Sequence, residues 1–159
     1  MGQTMKVDLK GSVVIITGAG AGIGKACAKV MLENGAKVII AEIDKEKGRS
    51  AAEDFSTIGT CRFIRTDVTS REDIAILIES VLEEFGRIDV FVNNAGINIG
   101  SQRVDIDEFP VEDWNRVLAV DLSGVFNCSQ AVSKVMIKQK SGRIVNIGSV
   151  LGSVPARKQ

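Results

Sequence analysis

The sequence predicts an α/β protein: a doubly wound parallel sheet with five strands present. Three observations carry this expectation. Apolar, β-rich runs alternate with helical periodicity along the whole chain, the strands are nearly continuous in apolar character, and the first strand leads into its helix through the glycine-rich stretch TGAGAGIG, Thr17 to Gly24. With 159 residues, 45% of them hydrophobic, the chain is long enough for one domain with a core, residues 1–159 forming a single domain.

In chain order the expected strands are Val13 to Thr17, Lys37 to Ala41, Cys61 to Thr66, Ile88 to Val92 and Arg143 to Ile147. The first helix is expected to bury Ile23, Ala26, Cys27, Val30 and Met31. The clearest helix carries Ile74, Leu77, Ile78, Val81, Leu82 and Phe85, spaced so that one stripe faces the sheet. The last helix, Pro110 to Gln139, opens on a proline that fits a first turn and closes on Lys134, Lys138 and Lys140, near the negative end of its dipole.

Charge and composition remove several classes. Twenty basic and twenty acidic residues cancel, and no basic stripe interleaves with aromatics, so a nucleic-acid partner is not expected. Cys27, Cys61 and Cys128 form no CxxC pair and the chain has no histidine, so no metal site is expected and the cysteines read as small buried side chains. No signal-like or membrane-length apolar run occurs, which makes a cytoplasmic protein with no membrane partner the expectation.

The glycine turn carries the chemistry. Gly18, Gly22 and Gly24 are spaced more widely than the G-x-G-x-x-G fingerprint. Glycines still allow positive φ and close approach of backbone to a diphosphate, and the helix starting near Gly22 aims free N–H groups at it. Glu42 follows the second strand, 18 residues after Gly24, near the place where an acidic side chain accepts hydrogen bonds from an adenosine ribose. At about 4 Å and an effective dielectric near 20, it would repel a second negative charge by about 4 kcal/mol. The expected cofactor is therefore NAD rather than NADP.

With these residues in place the sequence resembles the short-chain dehydrogenase/reductase family, from about Lys10 to Gln159. The matching motifs are Thr17, Gly18, Gly22, Ile23 and Gly24; Asp67 with Val68; Asn93, Asn94, Ala95 and Gly96; and Ser149 in IVNIGS. The resemblance implies a Rossmann-like fold and an NAD-dependent oxidoreductase that moves hydride between NAD and an alcohol or ketone. It further implies that Asp67 and Val68 hold the adenine, that Asn94, Ala95 and Gly96 line the ribose side, and that Ser149 binds the reacting oxygen. Family members commonly assemble as dimers or tetramers. A non-catalytic nucleotide-binding or regulatory short form is the alternative.

Two departures from the family pattern stand out. Asp121 replaces the usual asparagine, and with Trp114, Val117, Leu118, Leu122 and Val125 it falls on the expected buried stripe, where an unpaired carboxylate would cost several kcal/mol. It should therefore have partners, and it is the second catalytic candidate beside Ser149. The family's proton-donating tyrosine, counted from Ser149, falls beyond Gln159, and the chain contains no tyrosine. The expectation is a chain truncated before its catalytic helix and substrate loop, competent at best for binding. Uncovering about five large apolar side chains, at roughly 1.5 to 3 kcal/mol each, would leave it marginally stable with an exposed edge at the fifth strand.

Overall fold

The computed structural model describes residues 7–98 and 104–149. Strands β1 (Val13–Thr17), β2 (Lys37–Glu42), β3 (Cys61–Arg65), β4 (Val90–Asn93) and β5 (Arg143–Asn146) form one parallel sheet. Their order is β3-β2-β1-β4-β5, so the chain winds one way from β1 to β3 and then crosses back to β4. In open α/β sheets that reversal leaves a crevice at the carboxyl ends of the strands where ligands bind.

Helices α1 (Gly22–Glu33) and α2 (Lys45–Asp54) cover one face of the sheet, and α3 (Arg71–Phe85) and α5 (Val125–Gln139) cover the other. Strand residues alternate between the two cores. Val14, Ile16, Val38 and Ile40 pack with Ala28, Leu32, Ala51 and Phe55, whereas Val13, Ile15, Ile39 and Phe91 pack with Ile74, Leu77, Val81, Cys128 and Val132. Burying an aliphatic or aromatic side chain contributes roughly 1.5 to 3 kcal/mol, so these two layers hold the sheet rigid beneath the crevice. The coverage expected on both faces fails at β5, where every residue is exposed.

Two expected stripes differ from those found. In α1 the buried positions are Gly24, Ala28 and Leu32, while Ile23, Ala26 and Val30 are exposed and Cys27 and Met31 half-buried. The helix start lies close against the glycine turn, and a small residue permits that approach: a Cβ on Gly24 would stand 2.7 Å from the Gly18 carbonyl oxygen and 2.9 Å from the Ala19 Cα. The last helical stretch is not one regular helix. It runs as α4 (Val111–Val117), a π-helical turn at Leu118–Gly124, and α5. The wider turn re-aims the side chains, so Trp114 and Leu122 are exposed rather than buried, and the buried line is Gly124, Cys128, Val132 and Met136.

Candidate functional site

Helix starts decide where an anion can sit. Asp44 caps α2 by accepting the Glu46 and Lys47 N–H groups, and Ser70 caps α3 by accepting that of Asp73. Both helices also carry acidic residues in their first turn. At α1, by contrast, Ala21 supplies no side-chain cap and the first turn holds no acid. The first N–H groups of a helix need partners, and an uncapped glycine-flanked start with the dipole's positive end is an anion site.

In front of this helix start lies a cleft of about 440 Å³, lined by Gly18, Ile23, Glu42, Ile43, Thr66, Asp67, Val68, Asn94, Ala95, Gly96, Ile97 and Val120. Its size is within the range of small-molecule sites. Glycine is required at two points of the turn. Gly18 has φ +63° and a Cβ there would approach the Ala95 Cα to 2.9 Å, and Gly22 has φ +55° and faces open space. A cradle made of backbone alone, open at Gly22, fits a diphosphate.

Thr17, buried at the end of β1, ties the crevice together. Its hydroxyl donates to the Val92 carbonyl at 3.3 Å and accepts the Asn94 and Ala95 N–H groups, each at 3.0 Å. The Asn94 amide donates to the carbonyls of Thr17 at 2.8 Å and Gly18 at 3.1 Å. Asn94 thus braces the glycine turn as well as lining the cleft. Asn93 donates to Ser129 Oγ at 3.0 Å and Asn146 Oδ1 at 2.8 Å, which locks β4 to α5 and β5.

The carboxylates are placed as follows. Glu42 accepts the N–H groups of Gly20 at 3.0 Å, Ile43 at 2.9 Å and Asp44 at 3.1 Å. Asp67 Oδ1 accepts both the N–H and the hydroxyl of Thr69, at 2.8 and 2.7 Å, which leaves Oδ2 with no partner among the described residues. Val68, half of the same motif, is fixed from behind by the π-helical turn: a Cβ on Gly124 would stand 2.9 Å from its Cγ2. Asp121 is exposed, not buried as the stripe predicts, and the partner it needs is the Ile97 N–H at 2.9 Å. It holds the segment after Gly96 rather than pointing into the core.

The structure therefore gathers Gly18, Ile23, Glu42, Asp67, Val68, Asn94, Ala95 and Gly96 around one cleft, with Gly22 and Gly24 at the helix start behind it. Asp121 joins through Ile97, and Ser149 lies three residues beyond Asn146, past the end of β5 and outside the cleft lining. Sequence reasoning passed over Ile43, Thr66 and Val120, and took Thr17 and Gly20 only as part of a motif. Thr17 had no local signal, because its hydroxyl acts across 75 to 78 residues of chain. Burial pushes the Cys61 thiol up to about 11 and the Cys128 thiol up to about 12, so both are inert side chains of the core. No group of metal-ligating residues occurs among the described residues, and no helix among them is long and apolar enough to cross a membrane.

This fold and cleft define a class. The short chain dehydrogenase model matches residues 12–159, and the chain belongs to that family of oxidoreductases. It is 43% identical over 145 residues to a 3-oxoacyl-(acyl-carrier-protein) reductase of Thermotoga maritima, covering 91% of this chain and 58% of the relative. A reductase of the same description from Synechocystis sp. is 40% identical over 146 residues, with 91% and 58% covered. Among solved structures, NAD+-bound xylitol dehydrogenase superposes with a TM-score of 0.91 at 33% identity, over 96% of this chain and 58% of that one. Levodione reductase gives 0.86 at 31% identity, over 94% and 58%. The chain thus spans somewhat more than half the length of the relatives it matches.

Proposed function

We propose that the protein is an NAD-dependent oxidoreductase acting on an alcohol or its ketone. The observation that carries this reading is the uncapped start of α1 behind the Gly18–Gly24 turn, beside a cleft lined by Glu42 and Asp67. In this reading the backbone of Gly18, Gly22, Ile23 and Gly24 holds the diphosphate, Glu42 accepts a ribose hydroxyl, and the free Oδ2 of Asp67 accepts the adenine amino group beside Val68. Asn94, Ala95 and Gly96 line the second ribose. The coenzyme, when bound, supplies the hydride acceptor.

The preference for NAD rests on charge. A 2′-phosphate at about 4 Å from Glu42 would meet a repulsion of about 1 kcal/mol in bulk water and about 4 kcal/mol at an effective dielectric of 20. Lys47, whose Cβ lies beside Gly20, is already paired with Asp44 at 3.1 Å. The NAD+-bound xylitol dehydrogenase, with the same fold, agrees with this choice.

For the substrate half, the Ser149 hydroxyl is assigned to the reacting oxygen, and Asp121 holds the Ile97 backbone at the inner end of the cleft. The proton donor is assigned to the carboxyl portion that the relatives carry. Two further assignments follow the family: action on a small alcohol or carbonyl compound, and assembly as a dimer or tetramer. The test is to graft the carboxyl portion of the Thermotoga maritima relative after Ser149 and assay the chimera. NAD-linked turnover of some alcohol or ketone is expected. A folded chimera that binds NAD yet converts nothing across polyols, sugars, steroids and hydroxyacyl compounds would reject the reading.

A further inference from the structure

Glu42 does more than face a ribose. Oε1 accepts two N–H groups, from Ile43 and Asp44, and Oε2 accepts the Gly20 N–H of the glycine turn. An ionised carboxylate offers about four acceptor positions, so one is left, on Oε2 beside Gly20. The contact is close packed as well as hydrogen bonded: a Cβ on Gly20 would stand 2.9 Å from Glu42 Cγ and 2.9 Å from Lys47 Cβ. The end of β2, the first residues toward α2 and the middle of the glycine turn therefore meet on one side chain.

We infer that Glu42 is a strut of the glycine turn, a positioning residue that holds Gly20 in place in the free protein and couples the diphosphate end of the cleft to the ribose end through Oε2. The coupling half rests on the proposed coenzyme; the strut half does not. Hydrogen bonds to a charged group are the stronger ones, and a loop built of glycines has the most conformational freedom to lose. Holding Gly20 before the ligand arrives lowers the ordering cost of binding. A glutamine in place of Glu42 has a single carbonyl oxygen and cannot accept all three N–H groups.

Two measurements test this. In the unliganded chain, amide exchange at Gly20 should quicken at least about tenfold in Glu42→Gln and in Gly20→Ala, with the Ile15 and Ile16 amides of β1 unchanged as the check on folding. If neither variant folds, the unsubstituted chain decides: Gly20 must exchange more slowly than Ala21. Equal exchange at Gly20 and Ala21, or no change at Gly20 in a folded variant, would overturn the strut. Calorimetry then compares NAD with its analogue lacking both adenosine ribose hydroxyls. If Glu42 acts through the hydroxyls alone, its substitution has no effect on binding of the analogue and the coupling is wrong. A loss of at least about threefold that persists with the analogue is the expected result. Absence of any NAD binding rejects the coenzyme reading and the coupling with it, while the exchange data still decide the strut.

Discussion

At the scale of single residues, the crevice depends on side chains that satisfy backbone at the strand ends. Thr17 is the sharpest case, with one hydroxyl serving Val92, Asn94 and Ala95. Thr17→Val keeps the shape but strands two half-buried N–H groups, and should cost about 1 to 3 kcal/mol in urea unfolding, whereas Thr17→Ser should lose much less. Asp89 gives a pH signature. Burial pushes its carboxyl up, but the Arg87 guanidinium at 2.6 Å and the Val13 N–H at 2.9 Å outweigh burial and hold it below the ordinary carboxylate range. A depressed carboxyl stabilises the fold above the unfolded value, near 3.9, and that contribution disappears as pH falls through the folded value. Denaturation followed against pH should therefore steepen below about pH 4, and Asp89→Asn should flatten that fall.

At the scale of elements, the three helix starts make opposite uses of one physical rule. Asp44 and Ser70 complete α2 and α3, while the start of α1 at Ala21 is left open. Ala21 already has the extended backbone of a capping residue, so Ala21→Asp should raise thermal stability by about 0.5 to 2 kcal/mol and at the same time weaken NAD binding by at least about tenfold, as its carboxylate fills the anion position. A variant that gains stability without losing affinity would move the diphosphate elsewhere. These contrasts also mark what was legible beforehand. The strands, the α3 stripe and the glycine turn could be read because each follows from local period or from glycine's backbone freedom. The α1 stripe could not, because Gly24 and Ala28 are buried for close approach rather than for hydrophobicity. The π-helical turn that exposes Asp121 and Leu122 leaves no mark in composition, so a regular helical count placed both inside.

At the scale of the whole molecule, the sheet is well covered over four strands and open at the fifth. Ile144, Val145 and Ile147 are 36%, 41% and 41% exposed, and Phe126 and Leu122 add 57% and 63% from the helical side. An uncovered edge strand with apolar neighbours favours association. The isolated 159-residue chain should therefore self-associate at micromolar concentration in light scattering, and Val145→Lys should reduce it. A doubly wound parallel sheet was readable from alternation; its order, which reverses between β1 and β4, was not, and neither was the bracing of β4 against β5 by Asn93 and Asn146, which joins residues 53 apart. The proposed ligand of the crevice is NAD. Calorimetric titration of the chain with NAD and with NADP tests it most directly. One saturable NAD site is expected, with NADP weaker by at least about tenfold, a step of about 1.4 kcal/mol. Heat from neither dinucleotide, or NADP binding as tight as NAD, would contradict it.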